Sequence, residues 1–263
     1  MNLDATTLIQ LADAFGLTTL ERQEFFAAAN SVEDSAIVLP TQKPESVRRE
    51  LLDVLQQLQH PALLHDPFYD IIGINALATR FYHISNQWLT AAPHQVGRFN
   101  LLTLLFAAES PFRMSLPQVW SKVALFAIHQ FRLMSLRYRH TSYFKQLFAT
   151  LCRYPAFHTL WAETQYHPHD FYSHLKTYMY DHPEFHQVHY TVTKTVTLTN
   201  AGQLYLSVLA PNSPLTAACF TRLAQQTERA VYALAEWPKL LLPSEDDDPA
   251  FAEAWLAIGN IAT

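Results

Sequence analysis

The stretch PALLHDPFYDIIGIN (residues 61–75) constrains this chain more than any other. Ala62, Leu63 and Leu64 are apolar, and Ile71, Ile72 and Ile74 are β-branched residues that suit a pleated, half-buried surface. Between them Asp66-Pro67-Phe68 supplies turn chemistry, because proline presets φ and aspartate can bond its own backbone. Asn75 then stands as an N-cap for an apolar helical pattern over 76–82. Two short strands that feed straight into helices, with further strands only about a hundred residues later, predict a sheet with helices laid across it.

Upstream, Leu8, Leu11, Ala12 and Phe15 repeat at helical spacing and Gly16 stops the helix. Thr18 and Glu21 form a capping box for a second helix. Two helices this short cannot bury their apolar faces alone and need something to pack on. A polar linker over 31–43 follows, and Pro44 opens a helix whose Val47, Leu51, Leu55 and Leu58 make one apolar stripe.

Past the strand pair, 85–99 is a looser stretch, and Asn100 caps LLTLLF, which is apolar on nearly every face. Pro117 opens a long helix to about Arg139; 142–153 and 156–163 are two more. Strands are expected at 175–180, 188–199 and 204–209, separated by Asp181-His182-Pro183 and Asn200-Ala201-Gly202. Residues 215–237 read as a closing helix, Glu245 to Asp248 as a solvated acidic run and 251–258 as a last short amphipathic helix.

With 263 residues, 49% of them hydrophobic, the chain can bury a substantial core. A net charge of −5 argues against a surface that coats nucleic acid or anionic membrane. Two cysteines without a C-x-x-C pattern suit a reducing cytoplasm. Basic-then-apolar leaders and runs near the ~18 residues of a membrane span are absent from the sequence. Five glycines include no phosphate-cradling loop, and G-x-S-x-G and H-E-x-x-H are missing, so an enzyme is not expected. His167, His169, His174, His182, His186 and His189 fall close together. No cysteine or paired carboxylate joins them, and solvated loop histidines are the expectation rather than a metal site.

Two resemblances carry the functional reading. Leu11, Ala12, Ala14, Phe15, Gly16 and Leu17, followed by Glu21 and Arg22, resemble the last two helices of the XRE-type (lambda-repressor-like) helix-turn-helix domain. That family's DNA-reading helices would lie before Met1. The 61–76 stretch, NLLTLLF, the 155–161 segment and the strand ending VLAPNSP resemble the MmyB-like ligand-binding domain, which couples such a helix-turn-helix to a PAS-like domain. This chain departs from that pattern by Ile74, where an aromatic residue is usual, and by an insertion between Tyr82 and Asn100.

The expected fold is therefore α+β: a PAS-like antiparallel sheet with helices packed on it, preceded by the last two helices of a lambda-repressor-like domain. The divisions are 1–30 for the partial helix-turn-helix, 31–59 for linker and connecting helix, 60–237 for the PAS-like domain and 238–263 for an acidic tail. The resemblance implies a cytoplasmic transcription regulator that senses an apolar molecule, a long-chain fatty acid above all, and signals to DNA through residues 44–59. The candidate ligand-binding residues are Ile72, Ile74, Leu102, Leu105, Phe106, Trp120, Phe126, Phe131, Trp161, Tyr190 and Tyr205, for each of which ordinary core packing is the competing role. An acid head group would want a donor; Arg98, Arg113, Arg132, Tyr190 and Tyr205 stand unranked. Burying a dozen methylenes is worth roughly 10 kcal/mol, against association costs on the order of 4 to 15 kcal/mol. No cofactor or metal is expected. The competing class is a ligand-independent, solidly packed PAS-like homodimerisation or interaction module that no longer reads DNA.

Overall fold

Asp66 builds the hairpin at the centre of the fold. In the computed structural model, which describes residues 4–30, 43–90, 95–114, 116–117, 119–166, 177–199 and 201–239, β1 (Ala62–His65) and β2 (Ile71–Asn75) pair antiparallel. The Asp66 carboxylate accepts from the backbone N–H of Phe68 at 2.9 Å and of Asp70 at 3.0 Å. These bonds, with Tyr69 N–H donating to Asp66 O at 3.0 Å, hold Tyr69 at φ 67°, a conformation that bulky residues seldom adopt unaided.

Among the described residues the sheet has six strands. β3 (Tyr178–His182), β4 (His186–Thr199), β5 (Gly202–Pro211) and β6 (Val231–Ala233) join the hairpin in the order β3-β4-β5-β1-β2-β6, every neighbour antiparallel. The three late strands lie close to their expected places. Residues 181 and 182, read as turn, instead belong to β3, with His182 opposite His186. The closing helix is shorter than expected. It ends at Gln226, and Val231–Ala233 forms an edge strand against Gly73–Asn75. A long-range ladder overrides the local reading there, and the β-prone Val231 and Tyr232 accept it.

The helices are α1 (Ala5–Ala14), α2 (Thr19–Asn30), α3 (Pro44–Gln57), α4 (Ala76–Phe81), α5 (Asn86–Leu89), α6 (Leu101–Phe106), α7 (Pro111–Met114), α8 (Trp120–Ser135), α9 (Ser142–Cys152), α10 (Pro155–Tyr166) and α11 (Pro214–Gln226). The expected caps form. Asn75 accepts from Ala78 N–H at 2.9 Å, Asn100 from Leu102 N–H at 2.9 Å, and Thr18 and Glu21 cap each other reciprocally. The long helix expected from Pro117 begins three residues later, at Trp120.

One face of the sheet carries α3, whose Leu55 packs with Ala62, Leu64, Ile72 and Trp237. Gly73 permits that approach: a Cβ there would meet Leu52 Cδ2 at 2.3 Å. Against the other face lies the main core, including Phe81, Phe106, Phe131, Phe144, Phe148 and Trp161. The linker over 31–42, Asn200, His167, His169, His174, the acidic run at 245–248 and the helix expected over 251–258 lie outside the described residues.

Candidate functional site

Antiparallel register places side chains from successive strands in one row. Ile74 faces Leu63, Leu63 faces Ser207, and Ser207 faces Lys194. All four line a cavity whose floor is this face of the sheet. Val192 and Leu209, a register pair, and Tyr178 and Tyr190, another, extend the floor. The opposite wall is helical: Leu101, Leu102, Leu104 and Leu105 from α6, Phe112 from α7, Leu116, and Val123, Phe126 and Ala127 from α8. Its volume is about 130 Å³, with walls mostly of carbon.

A β-bulge decides which isoleucines reach it. Strict alternation would put Ile72 and Ile74 on one face, but the register shifts between Leu64 and His65. Ile71 and Ile74 therefore line the cavity, while Ile72 turns to the opposite face and packs beneath α3.

Few polar groups interrupt the apolar lining. His65 is buried and stacks on Tyr69 at 5.0 Å and on Tyr205 at 5.1 Å. Burial, with Lys194 nearby, pulls its pKa down to about 3, so the ring is neutral. Its Nδ1 lies 2.9 Å from the Asp66 carbonyl, which can only accept; Nδ1 therefore carries the proton and Nε2 is an acceptor. Ser207 Oγ is buried without a hydrogen-bond partner among the described residues. The hydroxyls of Tyr82 and Tyr190 meet at 3.1 Å, and burial raises both phenols so that they stay neutral.

Among the described residues, Lys194 is the one cation that lines this cavity. The residue as a whole is exposed, but its ammonium leans over the Tyr69 ring, 5.6 Å from the centroid, and loss of water on the apolar side lowers its pKa to about 8. Among the described residues no carboxylate pairs with it.

Of the residues expected to bind ligand, Ile74, Leu102, Leu105, Phe126 and Tyr190 line the cavity. Ile72, Phe106, Trp120, Phe131, Trp161 and Tyr205 do not. Phe106 packs edge-on against Trp120 and Phe157, and Phe131 packs edge-on against Trp161 and stacks on Phe144, so these rings fill the core behind the wall. Trp120 donates its indole N–H to Leu105 O at 2.8 Å, and Tyr205 gives its hydroxyl to Gln203 at 2.6 Å.

The proposed head-group arginines are engaged or elsewhere. Arg113 donates to Phe106 O at 2.6 Å and covers the Trp120 ring. Arg98 lines a separate polar cleft with Asp70, Tyr143, Glu236 and Lys239. Arg132 is buried against Glu21, at 3.1 Å and 3.0 Å. Lys194, Ser207, His65 and Tyr69 were missed. A lysine in the Thr-Val strand TVTKTVTLT reads as solvated edge, and only the sheet register shows what stands beside it.

Of the histidines, His182 is buried and accepts from Glu184 N–H at 3.0 Å, and burial lowers its pKa to about 4. Among the described residues no three histidine, cysteine or carboxylate side chains converge as metal ligands. No helix among them is long and apolar enough to cross a membrane.

A search of curated proteins returns no match to the chain. The sequence profile of the MmyB-like transcription regulator ligand binding domain matches residues 47–223, which span α3 to α11 and hold every cavity-lining residue. On that match, with the sheet and cavity as described, the chain belongs to the family of MmyB-like transcription regulator ligand binding domains.

Proposed function

We propose that this chain is the sensing part of a cytoplasmic, DNA-binding transcription regulator, and that its cavity takes the acyl chain of a fatty acid with the carboxylate at Lys194. The observation that carries the reading is the cavity itself: carbon walls that open beside one unpaired ammonium, with the orphan hydroxyl of Ser207 next to it in the same cross-strand row. A buried hydroxyl without a protein partner is costly unless a ligand or a bound water completes it. DNA contact would come from XRE-type helices placed ahead of α1 and α2, which resemble the last two helices of such a domain.

The test is native mass spectrometry of the purified chain, then denaturing extraction and lipid analysis, with sodium laurate as added probe. A co-purifying acyl molecule, or laurate binding that Ala127→Phe abolishes by filling the cavity, supports the reading. A clean apo mass with no laurate binding and no thermal stabilisation sinks it in favour of a solidly packed interaction module.

Charge gives a second expected outcome. Lys194→Met should weaken laurate binding about three- to tenfold, less than a buried charge-assisted bond would give, because the ammonium keeps part of its water. The pKa of Lys194 is lowered to about 8, so the cation is lost as pH rises through that value. Wild-type affinity should therefore fall between pH 7 and pH 9, while the Lys194→Met profile stays flat; titration calorimetry at the two pH values distinguishes them.

A further inference from the structure

Helix α8 takes part in two structures at once. Val123, Phe126 and Ala127 on its first half are cavity wall. Arg132, about 7.5 Å further along the axis, holds the N-terminal helices. Its Nε donates to Glu21 Oε1 at 3.1 Å, and its Nη2 to Glu21 Oε2 at 3.0 Å and to Gly16 O at 3.3 Å. Arg139, just past the helix, donates to Glu21 Oε1 and to Arg132 O at 2.9 Å. Both guanidinium groups lie over the Trp161 ring, at 4.4 Å and 5.6 Å. Glu21 is 1% exposed; burial works against its charge, but Arg132 and Arg139 prevail and hold its pKa down to about 2.

Size makes the two halves of α8 depend on each other. A cavity of about 130 Å³ is comparable to the ~150 Å³ that holds one benzene, so a chain of a dozen carbons is taken up whole only if a wall moves. The floor is a continuous ladder, with β4 and β5 in register from Tyr190–Pro211 to Thr199–Gly202. The helical wall is the one that can yield. A buried, multiply bonded ion cluster does not stretch by degrees; it is made or broken, since a half-separated buried charge is costly. By contrast α3, through which the resemblance would route the signal, packs on the opposite face of the sheet.

We infer that filling the cavity displaces α8 and so loosens the docking of α1 and α2, through the Glu21–Arg132–Arg139 junction. This inference rests on the reading that the cavity takes an apolar chain. It requires the ligand to prefer the displaced position of α8, since equal affinity for both positions would shift nothing.

Two measurements test it, with laurate as probe. Hydrogen exchange on the wild-type chain should speed up over residues 5–30 when laurate is added, while β1 and β2 stay protected. By reciprocity Glu21→Gln, which weakens the junction, should bind laurate about fivefold tighter or more. If laurate binds but exchange over 5–30 is unchanged and Glu21→Gln binds within twofold of wild type, the junction does not couple and the sensor reading stands. If laurate does not bind the wild-type chain, both fall. The exchange arm needs no variant, so a Glu21→Gln chain that fails to fold leaves the test intact.

Discussion

Truncating Trp161 to alanine is expected to lower the unfolding free energy by about 3–5 kcal/mol, the usual cost of emptying a buried aromatic site. Trp161 is 1% exposed. It meets Phe148 edge-on at 4.9 Å and Phe131 at 6.0 Å, stacks on Phe157 at 5.7 Å, and carries Arg132 on its face. None of these contacts reaches the cavity, so the loss should appear in urea denaturation and should not weaken ligand affinity. Trp161→Phe should fold, lose part of that stability and bind laurate no more than twofold more weakly than wild type. Ala127→Phe should do the reverse, keeping stability and losing the ligand. A Trp161→Phe chain of unchanged stability whose laurate affinity dropped tenfold would return Trp161 to the site.

Replacing Lys239 with methionine should cost about 3–5 kcal/mol at neutral pH, because it leaves buried charge without its partner. The ammonium lies 2.7 Å from Asp66 and 2.9 Å from Asp70, beneath the turn that aims Tyr69 at the cavity. Burial alone would lower the Lys239 pKa, but the two carboxylates overcome it and hold the ammonium charged. Asp70 also accepts from Asn100 at 2.8 Å and from the Tyr143 hydroxyl, so the site is already built around negative charge. Burial raises the Asp66 carboxyl to about 6 even with Lys239 present. An acid whose folded pKa is raised binds its proton more tightly when folded, so stability falls as pH rises from the unfolded value near 4 through the folded one. Without Lys239 the folded pKa moves higher still. The deficit of the variant should therefore be largest above pH 7 and shrink towards pH 5. Denaturation midpoints at both pH values check this; a deficit that does not change with pH would mean that the carboxylates are not what Lys239 serves.

Local chemistry explains why so much of the architecture was legible. Asp66 and Pro67 dictate a turn, Asn75, Asn100 and Thr18–Glu21 dictate helix starts, and β-branched runs dictate strands. Each signal acts within a few residues, so it survives without knowledge of the fold. The failures have one cause in common. Val231–Ala233 became a strand because β2 offered an unpaired edge, and Ile72 left the cavity face because of a bulge. Both depend on a partner remote in sequence.

By itself, the sequence determined the family, the α+β class, the caps and turns, and a supply of apolar side chains large enough for a core with space in it. It could not assign those side chains. Phe106, Phe131 and Trp161 have the same chemistry as Phe126, and only packing sends the first three into the core and the last to the cavity wall. Nor could it show that β1 lies between β5 and β2, the pairing that sets Lys194, Ser207, Leu63 and Ile74 in one row. Nor could it show that Arg132 serves Glu21 rather than a ligand. A cavity is the space that packed surfaces leave between them, and a charge's role is set by its nearest opposite charge; both are properties of the assembled chain.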